Sequence, residues 1–190
     1  MAIGNLNIMK WLHENGVKWC KNTFQLAAKE GDIATMEWLY KKKCPWSETN
    51  FDWPIRSGDL DTIKWLFKKE CQWDEFSFAD AAFNGDLDIM EWLYENQCPF
   101  DESCFADAAF NGDLENMEWL KEHGCPWGEE TFEVAAARHG NLGIMEWLYE
   151  NDCPWNTTVE ICRTHMIYKN APTVEEYVLE WMKDHGCPEF

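Results

Sequence analysis

A period of 27 residues constrains this chain more than any local motif does. The nine residues from Phe78 to Asp86 recur unchanged from Phe105 to Asp113. A Gly-(Asp/Asn)-(Leu/Ile) marker falls at Gly4, Gly31, Gly58, Gly85, Gly112 and Gly140, at intervals of 27, 27, 27, 27 and 28 residues. Self-similarity at such a period belongs to chains that grow by stacking supersecondary units rather than by enlarging one core.

Each tile reads as two helices. Helix A holds a Phe and an Ala pair, as in Phe24-Gln25-Leu26-Ala27-Ala28; small Ala side chains let helices approach and favour the helix intrinsically. Gly31 and its equivalents suit the positive-φ turn that ends a helix. Asp32, Asp59, Asp86, Asp113 and Asn141 follow as N-caps. Helix B then spaces its apolar residues helically, as in Leu87, Met90, Leu93 and Tyr94. Pro45, Pro99, Pro126 and Pro154 are expected to stop helix B. Ser47, Asp74, Asp101, Gly128 and Asn156 are expected to cap the next helix A, with Glu48, Glu75, Glu102 and Glu129 behind four of them on the side that the helix dipole favours. No stretch alternates with period two, so strands are not expected.

Two tiles deviate. Pro54 and Ile55 replace the Ala pair, which predicts a short, kinked or shifted helix. The Phe132 tile has one extra residue, expected at its turn. The fold class that follows is all-α, a right-handed α-solenoid of stacked antiparallel helix pairs. It is read as a single repeat domain over 1–190, with a half repeat at 1–20, five repeats at 21–156 and a lengthened C-terminal capping repeat at 157–190. The half repeat leaves one face bare, which reads as an array cut from a longer one.

Gly31-Asp32-Ile33-Ala34-Thr35-Met36-Glu37-Trp38-Leu39-Tyr40, closed by Cys44-Pro45-Trp46, resembles the second helix of the ankyrin repeat. The Ala pair after Phe24 is similar to the paired Ala of that family's first helix. The likeness covers nearly the whole chain, in phase six times. The departures are a length of 27 against about 33 residues, the absent Thr-Pro-Leu-His motif, and a gap where the family carries its β-hairpin finger. The chain thus looks like the short, Trp-rich, finger-less ankyrin-like arrays expanded in large DNA viruses and unicellular eukaryotes. That resemblance implies protein–protein recognition without catalysis, on a concave face lined by helix A.

Charge narrows the partners. Lys and Arg number 16 and Asp and Glu 35, a net charge of −19. Such a chain repels phosphate backbones and anionic membranes, so neither nucleic acid nor membrane is expected, and basic surfaces are favoured. No segment reaches the ~20 apolar residues of a membrane helix, and the start lacks the pattern of a secretory signal. Cys44, Cys71, Cys98, Cys125, Cys153 and Cys187 share one tile position. Stacked helices lie about 8–10 Å apart and a disulfide needs Cα atoms within about 4.4–6.8 Å, so bridges down the column are not expected. Their reading is as buried thiols in an intracellular, cytoplasmic or nuclear setting.

Chemistry is sparse. No zinc, phosphate-loop or nucleophile-elbow motif appears, so no catalytic residue, metal or cofactor is assigned. His13, His123, His139, His165 and His185 lie mostly beside Gly at helix ends. Cys104 and Cys162 stand off the column. They leave a Cys–His pair as the enzymatic alternative, against the commoner role of free cysteine in packing. The helix B column of Trp11, Trp38, Trp65, Trp92, Trp119, Trp147 and Trp181 reads as inter-repeat packing, as does the loop column of Trp19, Trp46, Trp73, Trp127 and Trp155.

A binding surface is expected where the tiles differ. The corner before the Gly reads Lys29-Glu30, Arg56-Ser57, Phe83-Asn84, Phe110-Asn111 and Arg138-His139. Asp80 and Asp107 stand nearby, and Phe83 and Phe110 are expected roughly 10 Å apart. The patch suits a protein or peptide with apolar anchors and Lys or Arg. The expected function is an interaction scaffold. The alternatives are the substrate-recognition segment of a larger adaptor of the ubiquitin-ligase type, and an acidic decoy for basic, nucleic-acid-binding proteins.

Overall fold

Four helix pairs turn on one device, a glycine in the left-handed region followed by a capping Asp. The computed structural model describes residues 5–46, 52–73, 76–139, 141–155 and 174–186, without the side chains of residues 5, 137–139 and 174–176. Among them are twelve helices and no strand. They are α1 (Asn5–Glu14), α2 (Lys21–Lys29), α3 (Ile33–Lys41), α4 (Asp52–Arg56), α5 (Leu60–Lys68) and α6 (Ser77–Asn84). After these come α7 (Leu87–Glu95), α8 (Glu102–Asn111), α9 (Leu114–Glu122), α10 (Glu129–His139), α11 (Leu142–Glu150) and α12 (Val174–Asp184). The chain forms two compact units, Met1–Ser77 with Glu91–Cys98, and Phe78–Met90 with Pro99–Phe190. Within each, the helices stack as antiparallel pairs, the all-α, solenoid-like arrangement expected.

At the turn, Gly31, Gly58, Gly85 and Gly112 have φ between 64° and 75°. The next residue caps helix B. Asp32, Asp59, Asp86 and Asp113 each accept the backbone N–H three residues on, at 3.0, 3.0, 3.1 and 3.2 Å. Asp101 caps α8 through the N–H two residues on, that of Ser103, at 3.0 Å. The expected caps Ser47, Asp74 and Asn156 lie outside the described residues, as do Gly4, Gly140, Cys162, His165, Cys187 and most of the expected capping repeat.

Three expectations are refined. Proline is not what stops helix B. The helix closes before the proline is reached, on a left-handed residue just before the column Cys: Lys43, Glu70, Gln97 and Asp152, or Gly124. The Cys N–H then reaches back to the Leu five residues earlier, as in Cys98 N to Leu93 O at 3.0 Å, the Schellman closure. Proline afterwards only keeps the chain from re-entering the helix. The extra residue of the Phe132 tile lies in the helix, since α10 has 11 residues against 10 in α8. Helix α4 is indeed short, at five residues, with Pro54 in its first turn, where its missing N–H costs no helical hydrogen bond.

The two Trp columns mesh. In the first unit Trp46 lies against Phe24 (ring centroids 5.2 Å) and Tyr40 (5.8 Å), and Trp65 of the following pair meets the same two rings at 6.0 and 5.9 Å. In the second unit Phe132, Tyr149, Trp155 and Trp181 repeat the arrangement. Trp11, at the start of the first unit, is 61% exposed where Trp65 is 8% exposed. The described column cysteines, Cys44, Cys71, Cys98, Cys125 and Cys153, are buried and not joined by disulfides. Cys44, Cys125 and Cys153 point at the carbonyl that precedes their own helix A, namely that of Cys20, Asp101 or Gly128.

Candidate functional site

Helices α6 and α8 carry the duplicated segment. Their inner face holds Phe78, Ala81 and Ala82, and Phe105, Ala108 and Ala109, all buried. What remains on the other face is Asp80, Phe83 and Asn84, then Asp107, Phe110 and Asn111. The two Phe rings do not stand a helix spacing apart. They lean together and stack, with centroids 5.7 Å apart and planes 27° from parallel. Helix spacing fixes the backbones, but long side chains on neighbouring helices converge. Phe83 is 38% exposed, so the pair forms a partly open apolar plate.

Carboxylates border the plate. Asp107 is half-buried, and its carboxyl is pushed up to about 6. Burial is the largest cause, followed by the like charges of Asp80, Glu130 and Asp101. Along α10, Glu129, Glu130, Glu133 and Val134 line an open recess of about 380 Å³. Arg138 and His139 end α10, and their side chains lie outside the described residues.

The other corner residues belong to the first unit. Lys29 and Glu30 end α2, while Arg56 ends α4 and Ser57 follows it; all four are exposed. Lys29 Nζ stands 4.4 Å from the centre of the Trp53 indole, which gives this off-pattern tryptophan an internal cation partner. Ser57 Oγ donates to Pro54 O at 3.2 Å.

Glu130 was not among the sequence candidates, although a signal existed. Two positions before the tile Phe the chain reads Asn22, Thr49, Phe76, Ser103 and Glu130, as varied as the corner before the Gly. Histidines take structural places. His123 Nδ1 is 2.8 Å from Trp119 O and His185 Nδ1 is 2.8 Å from Trp181 O, while Asn15, Asn96 and Asn151 donate to the equivalent Trp carbonyls. The thiol hydrogen-bonded to Cys104 is Cys125. Among the described residues no group of three or more His, Cys, Asp or Glu could hold a metal ion, and no helix is long and apolar enough to cross a membrane.

No protein-family model matches this chain, and no curated protein matches it. The surface must be read from its own chemistry. An aromatic plate rimmed by carboxylates can take an aliphatic or aromatic side chain on the rings and a cationic head at the edge.

The raised carboxyl makes Asp107 a measurable probe. In the folded chain it keeps its proton up to about pH 6, whereas unfolded it loses it near the ordinary value of 3.8. The folded state therefore binds more protons between these values, and stability falls as pH rises through that window. Asp107→Asn should flatten the fall and stabilise the chain at pH 7. The gain should not exceed about 1 kcal/mol, because water screens a half-exposed group. Urea unfolding at pH 4 and pH 7 measures it, and equal slopes for wild type and variant would rule the penalty out.

Proposed function

We propose that this chain is an ankyrin-like protein-interaction module. Its second unit binds a peptide or protein segment on Asp80, Phe83, Asn84, Asp107, Phe110 and Asn111, with Glu130 at the rim. The observation that carries the reading is the Phe83–Phe110 stack held open beside a carboxylate already strained by its neighbours. A Lys or Arg head would relieve that repulsion while its stem, or an adjacent apolar side chain, covers the rings. The helix pairs, the Gly-Asp turns and the in-phase likeness to ankyrin repeats support a scaffold role. The corner residues Lys29, Glu30, Arg56 and Ser57 would serve a partner of the first unit.

Selection from a random peptide display library tests the proposal. Enriched peptides should pair a Lys or Arg with a neighbouring apolar residue. Their affinity should fall about tenfold or more for Phe83→Ala plus Phe110→Ala, the loss of a modest hot spot of about 1.4 kcal/mol. The double variant should keep its helical circular dichroism, since the rings are not core. The net charge of −19 favours one rival, a decoy for basic proteins. A decoy would bind any polycation, lose it in salt, and ignore both Phe substitutions.

A further inference from the structure

In the second unit two thiols converge beneath the first turn of α8. Cys104 N–H donates to Asp101 O at 3.2 Å, and Cys125 Sγ donates to the same oxygen at 3.2 Å. The two thiols are also hydrogen-bond neighbours of each other. Both are buried, at 1% and 7% exposure, and no disulfide joins either. Cys125 belongs to the periodic column, but Cys104 does not. At its tile position the other repeats carry Thr23, Asn50, Ser77 and Thr131, so this repeat alone sets a second sulfur there. A packing role would be met by Ser, as at Ser77, which is equally buried.

We infer that Cys104 and Cys125 are a redox modification site, a dithiol that closes to a disulfide when the chain meets a hydroperoxide. The environment assigns the order of events. The Asp101 carbonyl, 3.2 Å from Cys125 Sγ, keeps the proton on that sulfur; the bond between the thiols and burial push Cys125 up, while the same bond holds the Cys104 thiol below its usual range. Cys104 is thus the sulfur that reacts first, as its thiolate, and Cys125 the resolving thiol. The Cys104 thiolate attacks hydrogen peroxide, breaking the O–O bond, and becomes a sulfenic acid as hydroxide leaves. Cys125 sulfur then attacks the Cys104 sulfur. The S–S bond forms, the S–O bond breaks, and the Cys125 proton leaves with the oxygen as water. In sum two thiols and one peroxide give one disulfide and two waters. Peroxide is small enough to enter through local opening of the α8 turn, where a bulkier oxidant would be held out. The bond would tie the start of α8, one turn before Asp107, to the loop after α9.

The test treats the full chain with hydrogen peroxide, blocks remaining thiols, and maps cysteine peptides by mass spectrometry. Exposed Cys20 reports that oxidant reached the protein. The expected result is a linked Cys104–Cys125 peptide that dominates the Cys104 pool and is reversed by dithiothreitol, with Cys44, Cys98 and Cys153 left as thiols. In Cys125→Ser, dimedone should label Cys104 as a sulfenic acid. In Cys104→Ser, which borrows the residue of the preceding repeat, Cys125 should stay reduced. Persistence of both thiols while Cys20 is oxidised would overturn the inference, and so would linkage of Cys125 to any other cysteine.

Discussion

Phe105→Ala should cost about 3–5 kcal/mol of unfolding free energy, the range for removing a fully buried aromatic ring. The side chain is 0% exposed and lies 4.9 Å from the Trp127 ring, centroid to centroid. Its removal leaves a void facing the loop tryptophan that links neighbouring helix pairs. Helix α8 cannot collapse into that space, because Ala108 and Ala109 already hold it against its neighbours. Against a typical stability of about 5–15 kcal/mol, the variant should be near its limit at 37 °C. Urea titration followed by tryptophan fluorescence measures the loss, and a value below about 1 kcal/mol would contradict the assigned core. Phe83→Ala is the contrast. That ring occupies the corresponding helix but the outer face, and its loss should hardly move the midpoint.

The second large effect is expected at a glycine. Gly85 has φ +74°, where a side chain strains the backbone by about 1–2 kcal/mol. A Cβ there would also stand 2.6 Å from Asp113 Oδ2 of the next repeat and 3.3 Å from Asn116 Nδ2. Asp113 cannot swing aside freely. Its Oδ1 caps α9 by accepting from Asn116 N, and its Oδ2 accepts from Asn116 Nδ2 at 3.2 Å. Gly85→Ala should therefore lose the strain energy and about 1 kcal/mol of cap besides, roughly 2–3 kcal/mol together. Gly124→Ala is the internal control. It has the same φ of +74° but nothing within 4 Å of the added carbon. If both variants melt alike, the contact between Gly85 and Asp113 carries no energy.

That pair also explains why the marker recurs as it does. Gly31 faces Asp59, Gly85 faces Asp113 and Gly112 faces Asn141. Each glycine is fixed by its own turn and by the cap of the repeat after it. Sequence reasoning could assign the turn and the cap separately, because both are local matters of backbone dihedral and side-chain acceptor. It could not see that one is the seat of the other, since the contact spans 28 or 29 residues.

The candidate surface divides along the same line. Which positions vary between tiles is written in the chain, and so are Asp80, Phe83, Asp107 and Phe110. Their joint chemistry is not written there. A helix spacing of about 10 Å says nothing of two rings leaning into a stack at 5.7 Å. Nor does it reveal that Glu130 and Asp101 load the Asp107 carboxyl from other parts of the unit. Cys104 carried even less warning. Alone it is one more small buried residue, and only the folded chain shows that a column thiol faces it.

From the sequence alone came the helix pairs, the turns and caps that start helix B, the buried Cys column and the absence of any long apolar span. All of these depend on interactions within about one repeat, so periodic residues report them. The tertiary structure decided how helix B ends, which ring meets which, where the carboxylates crowd, and which two thiols meet. Those depend on side chains brought together from different repeats, and their contact distances are set by packing that a one-dimensional period does not contain.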